Sequence, residues 1–198
     1  MYDGNAGRLR TAGRDPGDRT PAPGSLRLIQ ALVNTLNAEA ALDLLATRAE
    51  AAEWLVAAGL LATGSRLTGA EHQAFVELRE AIRGVLAAHT DQLENPAAAS
   101  RLTVALAACR LDLAVDPAGD VRIVSADHDP FRRVIGAVAT AIAEAAVGGT
   151  WARLKSCPGH LCGWAFYDRS ASGQSRWCSM QLCGSRSKMR AYRGRLTQ

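Results

Sequence analysis

The chain has 198 residues, of which 48% are hydrophobic and 21% are charged, a balance that permits a folded core. The composition excludes a chain that is disordered throughout, and no apolar run reaches the roughly 18 residues needed to cross a bilayer. Because the N-terminus lacks the apolar segment of a secretory signal, we expect a cytoplasmic protein with reduced thiols and no membrane contact.

The positive charge of the chain is concentrated near its C-terminus. Residues 151–198 contain nine basic residues and one acid, Asp168, which gives a net charge of +8. The preceding residues carry 14 basic and 18 acidic side chains, so their net charge is −4. An excess of arginine and lysine in one segment is typical of a protein that binds a polyanion such as nucleic acid.

The first part of the chain changes character at Ser25. Residues 1–24 are rich in Gly, Pro, Arg and Asp and have few large apolar side chains, which predicts a flexible N-terminal tail. From Ser25 onward, Leu28, Leu32 and Leu36 recur at helical spacing. We therefore expect an amphipathic helix that begins the folded domain.

Three further helices are indicated by their start signals. Thr47 with Glu50 and Thr68 with Glu71 each match a capping box, in which the Thr hydroxyl and the Glu carboxylate satisfy the first free N–H groups. Pro96 suits the first turn of another helix. The apolar residues after each signal lie at helical spacing, so each helix has a face to bury.

A small hairpin is predicted between helices. The runs LDLAV and VRIVS, joined by the turn DPAGD, indicate two antiparallel strands. A helix from about Pro130 to Val147 follows, and Gly148 and Gly149 end it. We place a domain boundary there, with a helical domain over residues 25–150 and a separate module over 151–198.

Four cysteines in this module, Cys157, Cys162, Cys178 and Cys183, form two C-x4-C pairs that are separated by fifteen residues. Such a cluster holds a tetrahedral Zn²⁺ or disulfides, and a reducing compartment favours one structural zinc ion. Disulfides, an iron–sulfur cluster and four unligated core thiols are the alternatives. His160 lies between two of the cysteines, but with four thiols present we expect it to be exposed.

The residues around the cysteines predict how the module folds. Pro158 and Gly159 permit a tight turn, residues 163–177 indicate two short strands around a Ser/Gly turn, and a helix that begins near Cys178 would carry Cys183. The expected apolar core of the module consists of Trp164, Phe166 and Trp177. The fold class is therefore α+β: a mostly helical N-terminal domain with a small β-hairpin, followed by a treble-clef-like four-cysteine zinc finger.

A basic helix is predicted after the last cysteine. At about 100° per residue, Arg186, Arg190 and Arg193 fall on one face, and their guanidinium groups suit phosphate oxygens and guanine edges. A second stripe, which we expect to pack on the finger or the helical domain, consists of Met189, Tyr192 and Leu196. The predicted DNA-binding residues are Arg176, Arg186, Lys188, Arg190, Arg193 and Arg195.

The cysteine-bearing segment resembles the CGNR zinc finger over about residues 155–193. The shared runs are CPGHLCGWAFYDRS and RWCSMQLCGSR, although Ser185 stands where the family has Asn. The segments LIQALVNTLN and AAEWLVAAGLL are similar to the opening of the ABATE domain, which usually precedes this finger. The resemblance implies a four-cysteine zinc site, DNA binding by the finger and a family whose description names a stress-induced transcription regulator.

Together these features predict a DNA-binding transcription regulator that is cytoplasmic and associated with the nucleoid. The N-terminal domain is expected to sense a small-molecule or protein effector or to mediate assembly, for instance as a homodimer. The alternative is an adaptor whose finger docks an acidic protein partner. No catalytic arrangement of side chains stands out, so we expect no enzymatic activity.

Overall fold

The computed structural model of the chain describes residues 9–12, 15, 17 and 19–196, and it confirms the α+β class expected from the sequence. The helices are α1 (Leu26–Val33), α2 (Arg48–Ala57), α3 (Gly69–Asp91), α4 (Pro96–Leu106), α5 (Pro130–Val147) and α6 (Ser185–Leu196). The strands form antiparallel pairs, β1 (Leu36–Asn37) with β2 (Leu42–Asp43), β3 (Leu111–Val115) with β4 (Val121–Ser125), and β5 (Leu154–Ser156) with β6 (Ala165–Tyr167).

Local signals in the sequence fix where two of the helices begin. The Glu50 N–H donates to the Thr47 hydroxyl at 3.2 Å, and the Thr47 N–H donates to the Glu50 carboxylate at 2.9 Å, so α2 opens with the expected capping box. Thr68 and Glu71 make the same reciprocal pair at the start of α3. Each box satisfies N–H groups that lack a partner inside the helix, so these boundaries follow from the sequence.

The main core lies around α1, which packs against both α3 and α5, and α4 contacts both of those helices. Helix α2 adds Trp54, whose ring lies 6.0 Å from that of Phe75 between centroids. The fully buried apolar side chains of this core include Ile29, Leu32, Phe75, Leu78, Ile82, Val134 and Val138. Removing these surfaces from water is the main stabilising contribution, and it makes the helices a platform for the C-terminal segment.

The two small sheets of the helical region differ in how far the sequence predicted them. The pair β3–β4 has the expected register, with Val115 opposite Val121 beside the turn, and β4 lies against α5. The pair β1–β2 was not predicted, because Leu36 was assigned to the first helix. The helix instead ends at Val33, and Asn34, which follows, directs its side chain to the backbone of Ala165.

A buried arginine fixes the β1–β2 pair to α3. Arg79 is 2% exposed, and it donates to the Asp43 carboxylate from Nη2 at 2.9 Å and to the Thr35 hydroxyl from Nη1 at 3.1 Å. Burial alone would raise the pKa of Asp43, but the hydrogen bonds and charge of Arg79 outweigh it, and the net pKa is lowered. The ion pair is therefore part of the core.

Part of the segment predicted as a flexible tail packs onto the helices. Ala12 is buried, its N–H donates to the Asn34 carbonyl at 2.7 Å, and the Trp54 indole donates to the Arg10 carbonyl at 2.9 Å. Leu9 also packs against the main core, so residues 9–12 lie on the helices, whereas the sequence predicted a flexible tail. The tail prediction at residues 1–8, 13, 14, 16 and 18 lies outside the described residues.

Residues 19–24 also differ from the predicted tail, because they lie across the C-terminal segment. Arg19 donates to the Cys178 carbonyl at 2.7 Å and to the Trp177 carbonyl at 3.0 Å, and its guanidinium lies 4.9 Å from the centre of the Phe166 ring. Arg169 donates in return to the Pro21 carbonyl at 2.8 Å. These contacts connect the start of the chain to its cysteine-bearing end.

The helical region and the C-terminal segment share one core. Leu154, Ala165 and Tyr167 come from β5 and β6 but belong to the same buried cluster as α1, α3 and α5. The Asn34 side chain accepts from the Ala165 N–H at 2.7 Å and donates to the Ala165 carbonyl at 3.0 Å. The segments on either side of the predicted boundary near residue 150 are thus joined by a common buried core.

Candidate metal centre and nucleic-acid interface

The strands β5 and β6 position the first pair of cysteines. Cys157 directly follows β5, and its N–H donates to the Trp164 carbonyl at 2.9 Å, so the strand pairing continues into the loop. The Cys162 N–H donates to the Gly159 carbonyl at 2.9 Å, which closes the turn. Gly159 permits a close approach here, because a Cβ would lie 3.0 Å from Cys183 Sγ and 3.1 Å from Cys162 Cβ and would push the cysteines aside.

A π-helical turn over Met180–Gly184 positions the second pair. Cys178 lies two residues before this turn, and Cys183 lies within it. The Ser179 hydroxyl accepts from the Leu182 N–H at 3.2 Å and caps the turn, and α6 continues directly from it. The expected helix near Cys178 is confirmed, with a wider first turn that brings Cys183 back toward the other cysteines.

The four cysteine sulfurs, those of Cys157, Cys162, Cys178 and Cys183, all lie within 4.8 Å of one another. Two of the pairs, Cys162–Cys178 and Cys178–Cys183, are separated by 3.6 Å between Sγ atoms. Zinc–thiolate bonds of about 2.3 Å in a tetrahedron place sulfurs roughly 3.8 Å apart, which agrees with this spacing. The distances are far longer than the roughly 2.05 Å of a disulfide. The cluster fits one structural zinc ion, as expected.

All four thiols can be ionised at the same time only when a cation is bound among them. Hydrogen bonds from the Cys162 and Cys178 thiols lower the pKa of Cys157, and donating these bonds raises the pKa of both donors. Burial raises the pKa of Cys183. The first thiolate therefore forms readily, whereas further thiolates at these distances repel it. A divalent cation removes that repulsion, which agrees with a set of donors that binds Zn²⁺ as thiolates.

An apolar cluster covers the cysteines on the side of the protein interior. Trp164 and Phe166 are buried against Cys157, Cys178 and Cys183, and Trp177 packs at the edge. The aromatic core expected from the sequence is confirmed. His160 is exposed, as expected.

The loop between the cysteine pairs is organised by Asp168, whose role the sequence reasoning missed. Its carboxylate accepts from the Ser170 hydroxyl at 2.7 Å, from Lys155 Nζ at 3.0 Å and from the Ser175 N–H at 2.8 Å. Burial would raise the pKa of Asp168, but these hydrogen bonds outweigh it and the net pKa is lowered. The Asp-x-Ser spacing, typical of a local side-chain turn, was the available signal.

This network explains one wrong detail of the predicted finger. Residues 163–177 were expected to form two strands around a Ser/Gly turn, but β6 pairs with β5, which precedes the first cysteine. The chain after β6 folds instead around the Asp168 carboxylate and has no strand partner among the described residues. Strand β5 therefore precedes the first cysteine pair and β6 follows it, whereas both strands were expected between the two pairs.

Two of the predicted DNA-binding arginines contact acids of the helical region. Arg186 Nη1 lies 2.7 Å from Glu39 Oε1, and Arg176 Nη2 lies 2.6 Å from Asp91 Oδ1. All four side chains are between about a third and three-fifths exposed, so water screens both pairs. These arginines remain on the surface, each beside a carboxylate.

The other predicted cations lie along α6, which is confirmed as a helix and projects from the π-helical turn. They are all exposed, namely Lys188, Arg190, Arg193 and Arg195. Arg190 and Arg186 meet at a cavity of about 230 Å³ beside Cys183, and His160 and Ser187 also line it. Arg186 and Arg190 therefore lie beside the metal centre. Lys188, Arg193 and Arg195 lie along α6 and do not line this cavity.

The predicted packing stripe on α6 does not pack. Met189 is 52% exposed and Tyr192 is 53% exposed, while the side chain of Leu196 lies outside the described residues. The reason is that α6 contacts mainly the π-helical turn and not the helical core. Ser185, at the position of the family Asn, donates to the Met180 carbonyl at 3.2 Å and so helps to join the turn to α6.

Within the described part of the chain, no helix is both long enough and apolar enough to cross a membrane.

Comparison with known proteins returned no match among curated proteins. Two family models match the chain. The first, described as "Putative stress-induced transcription regulator" (ABATE), matches residues 26–149, and the CGNR zinc finger matches residues 153–196. Because the first model covers more than half of the chain, this protein belongs to the ABATE family and carries a C-terminal CGNR zinc finger.

Proposed function

We propose that this protein is a DNA-binding transcription regulator whose zinc finger contacts the phosphate backbone through α6. The observation that carries the proposal is the run of exposed cations along α6, with no acid in the sequence between Asp168 and the C-terminus. Four thiolates and one Zn²⁺ reduce the +8 charge of residues 151–198 to about +6, which remains strongly positive. Such a surface attracts DNA by releasing its condensed counterions.

The cavity beside the zinc site supports a phosphate contact. Arg186 and Arg190 are joined there by His160 and by Ser187, whose hydroxyl is a further donor. The ion pair between Arg186 and Glu39 is exposed and worth about 0–1 kcal/mol, so a phosphate oxygen can replace the carboxylate at little cost. The cavity volume of about 230 Å³ is sufficient for a phosphate group.

A structural role for the metal supports a non-enzymatic function. A site closed by four cysteine thiolates leaves no coordination position for a water molecule or a substrate. The ion instead stabilises the turn from which α6 projects, because Cys183 lies in that turn. In the proposed regulator, zinc is therefore a scaffold and takes no part in a reaction. Because the proposed ligand is DNA, we also propose that the protein is cytoplasmic and associated with the nucleoid.

The test is fluorescence anisotropy with duplex DNA over a salt series, using the zinc-loaded chain. We expect Arg190→Glu to weaken binding and to reduce the slope of log K against log salt by about 1 or more. Arg132→Glu, a charge reversal at an exposed position of α5, is the matched control and should bind as the parent does. Binding that is insensitive to salt, or equal for Arg190→Glu and the parent, would refute the proposal.

An adaptor role is the second candidate, and the exposed Met189 and Tyr192 favour it. Apolar side chains beside arginines can pack against an acidic, amphipathic protein segment, which would remove them from water. In that case the double variant Arg190→Glu with Arg193→Glu abolishes retention of the protein partner and leaves DNA retention unchanged. The opposite pattern supports the regulator.

A groove in the helical region supports an effector site for an organic anion. The groove has a volume of about 860 Å³ and lies between α1, β4 and α5. Its lining includes three arginines, Arg27, Arg122 and Arg133, one acid, Glu144, and apolar side chains such as Leu28, Leu60 and Ile123. A thermal-shift screen of carboxylates tests this site, with Arg27→Ala as the variant that should lose any stabilisation.

A further inference from the structure

One face of the β3–β4 hairpin exposes a row of large apolar side chains. Leu113 is 70% exposed, Val115 is 67% exposed and Val121 is 60% exposed. Leu111 joins them on the same face, since it lies two residues from Leu113 along the strand. A two-stranded ribbon is marginally stable alone, and exposed apolar edges promote association with other strands. The edge therefore requires an explanation.

The backbone of this edge is arranged to accept another strand. The Ala126 N–H donates to the Arg110 carbonyl, and the Asp116 N–H donates to the Asp120 carbonyl, both at 3.0 Å, so even-numbered residues of β3 bond toward β4. Because successive residues of a strand direct their N–H and C=O groups to opposite sides, Leu111, Leu113 and Val115 direct theirs outward. Among the residues the structure describes, no strand pairs with this side of β3.

We propose that a second copy of this chain pairs with β3 about a twofold axis at Leu113, so that the two hairpins form one four-stranded antiparallel sheet. Leu113 then lies opposite its own copy, and Leu111 lies opposite Val115. All three residues use the outward backbone groups, so the hydrogen-bonding pattern is satisfied in both copies. The apolar row continues across the junction, where neighbouring side chains shield one another from water.

The charges of β3 select this register. With Leu113 opposite itself, Arg110 lies opposite Asp116 of the copy, and Asp112 lies opposite the uncharged Ala114. Moving the strand so that Leu111 faces Leu113 would place Asp112 opposite its own copy. Moving it the other way, so that Leu113 faces Val115, would place Asp112 opposite Asp116. Like charges in direct opposition destabilise a sheet, so the two neighbouring registers are disfavoured.

The experiment measures the mass of the full-length, zinc-loaded chain by light scattering during size-exclusion chromatography. The expected parent mass is twice that of the 20.9 kDa chain. Leu113→Glu and Leu113→Lys each place like charges across the axis and are expected to elute with the mass of one chain. An equal mixture of the two variants places Glu opposite Lys and should recover the doubled mass.

Leu93→Glu is the matched control, because Leu93 is also 70% exposed but lies outside the hairpin. It should keep the doubled mass, and circular dichroism with bound zinc should show that all variants are folded. A parent chain with the mass of one copy, a Leu113→Glu variant that stays doubled, or a mixture that does not recover would each overturn the proposal. None of these results depends on DNA binding, so the proposed function is tested separately.

Discussion

At the scale of single residues, buried ionic groups set the shape of the finger. Lys155 and Asp168 are both almost fully buried, and the carboxylate also holds Ser170 and Ser175. A buried charge pair is costly to assemble but far costlier to break on one side, because the remaining charge loses its counterion and cannot reach water. Lys155 would keep only neutral acceptors, the carbonyls of Gly173 at 2.6 Å and Ser175 at 3.2 Å. The loop between the cysteine pairs should therefore be sensitive to the charge of one carboxylate.

We expect Asp168→Asn to lower the free energy of unfolding by about 3–5 kcal/mol, because the buried Lys155 ammonium loses its counterion. Urea unfolding with zinc in excess measures the change. Glu94→Gln, at an exposed carboxylate between α3 and α4, should change the stability by less than about 0.5 kcal/mol. Equal effects at the two positions would contradict the role given to Asp168.

His89 predicts how stability depends on pH. It lies half-buried on α3, with its ring edge-on to that of Trp151 at 5.3 Å between centroids and its Nδ1 2.9 Å from the Leu154 carbonyl oxygen. Burial lowers the pKa of His89 below its ordinary 6.5. The unfolded state then binds a proton more readily than the folded state, so the free energy of unfolding falls as the pH drops below 6.5.

Chemical unfolding of the zinc-saturated chain between about pH 7 and pH 5 checks this expectation. The parent should lose stability over that range, and His89→Gln should lose less, because it has no proton to bind. His160→Gln is the control, since His160 is exposed and should leave the slope unchanged. A parent whose stability is constant, or rises, toward pH 5 would show that His89 is not held neutral by the fold.

At the scale of elements, the sequence predicted what local chemistry decides. The capping boxes at Thr47 and Thr68 act within four residues, and the hairpin β3–β4 is joined by its own turn, so each could be derived without knowing the rest of the fold. The cysteine spacing gave the metal ligands because zinc demands that all its donors converge.

What the sequence did not predict depends on contacts between distant residues. Asn34 bonds Ala165 across a separation of 131 positions, and Arg79 bonds Asp43 across 36. A charged or amide side chain in a helical pattern is normally solvated, so neither could be assigned to the interior. The exposure of Met189 has the same origin, since only the direction in which α6 leaves the fold decides whether its apolar side packs.

The close approach of α5 to β4 gives a prediction about one glycine. A Cβ at Gly136 would collide with the Ser125 side chain, so Gly136→Ala should destabilise the chain by about 1–3 kcal/mol. Ser125→Gly removes the obstructing atoms, and the double variant should regain part of that loss. A double-mutant cycle from thermal unfolding measures the coupling, and purely additive effects would contradict the proposed collision.

At the scale of the whole molecule, zinc should stabilise more than the finger. Leu154, Ala165 and Tyr167 belong to the core of the helices, so unfolding of the cysteine-bearing segment removes part of the interior of that core. We expect Cys178→Ser, or a chelator, to lower the midpoint of helix unfolding followed by circular dichroism.

Cys109→Ser is the matched control for this prediction, because Cys109 is the fifth cysteine and lies outside the cluster. It should bind one equivalent of zinc and keep most of its stability. A helical region whose unfolding is unaffected by loss of the metal would show that the shared core contributes little, whatever the structure of the finger.

The double hydrogen bond between Asn34 and Ala165 also bears on protein engineering. A finger excised from this chain and grafted onto a foreign carrier would present an unpaired peptide group and the bare side chains of Leu154 and Tyr167 to water. Such a graft would be poorly soluble and prone to aggregate even with its zinc bound. A transplantable version would have to bring α1 and Asn34 with it, because the Asn34 side chain, directly after the helix, supplies the amide that bonds Ala165.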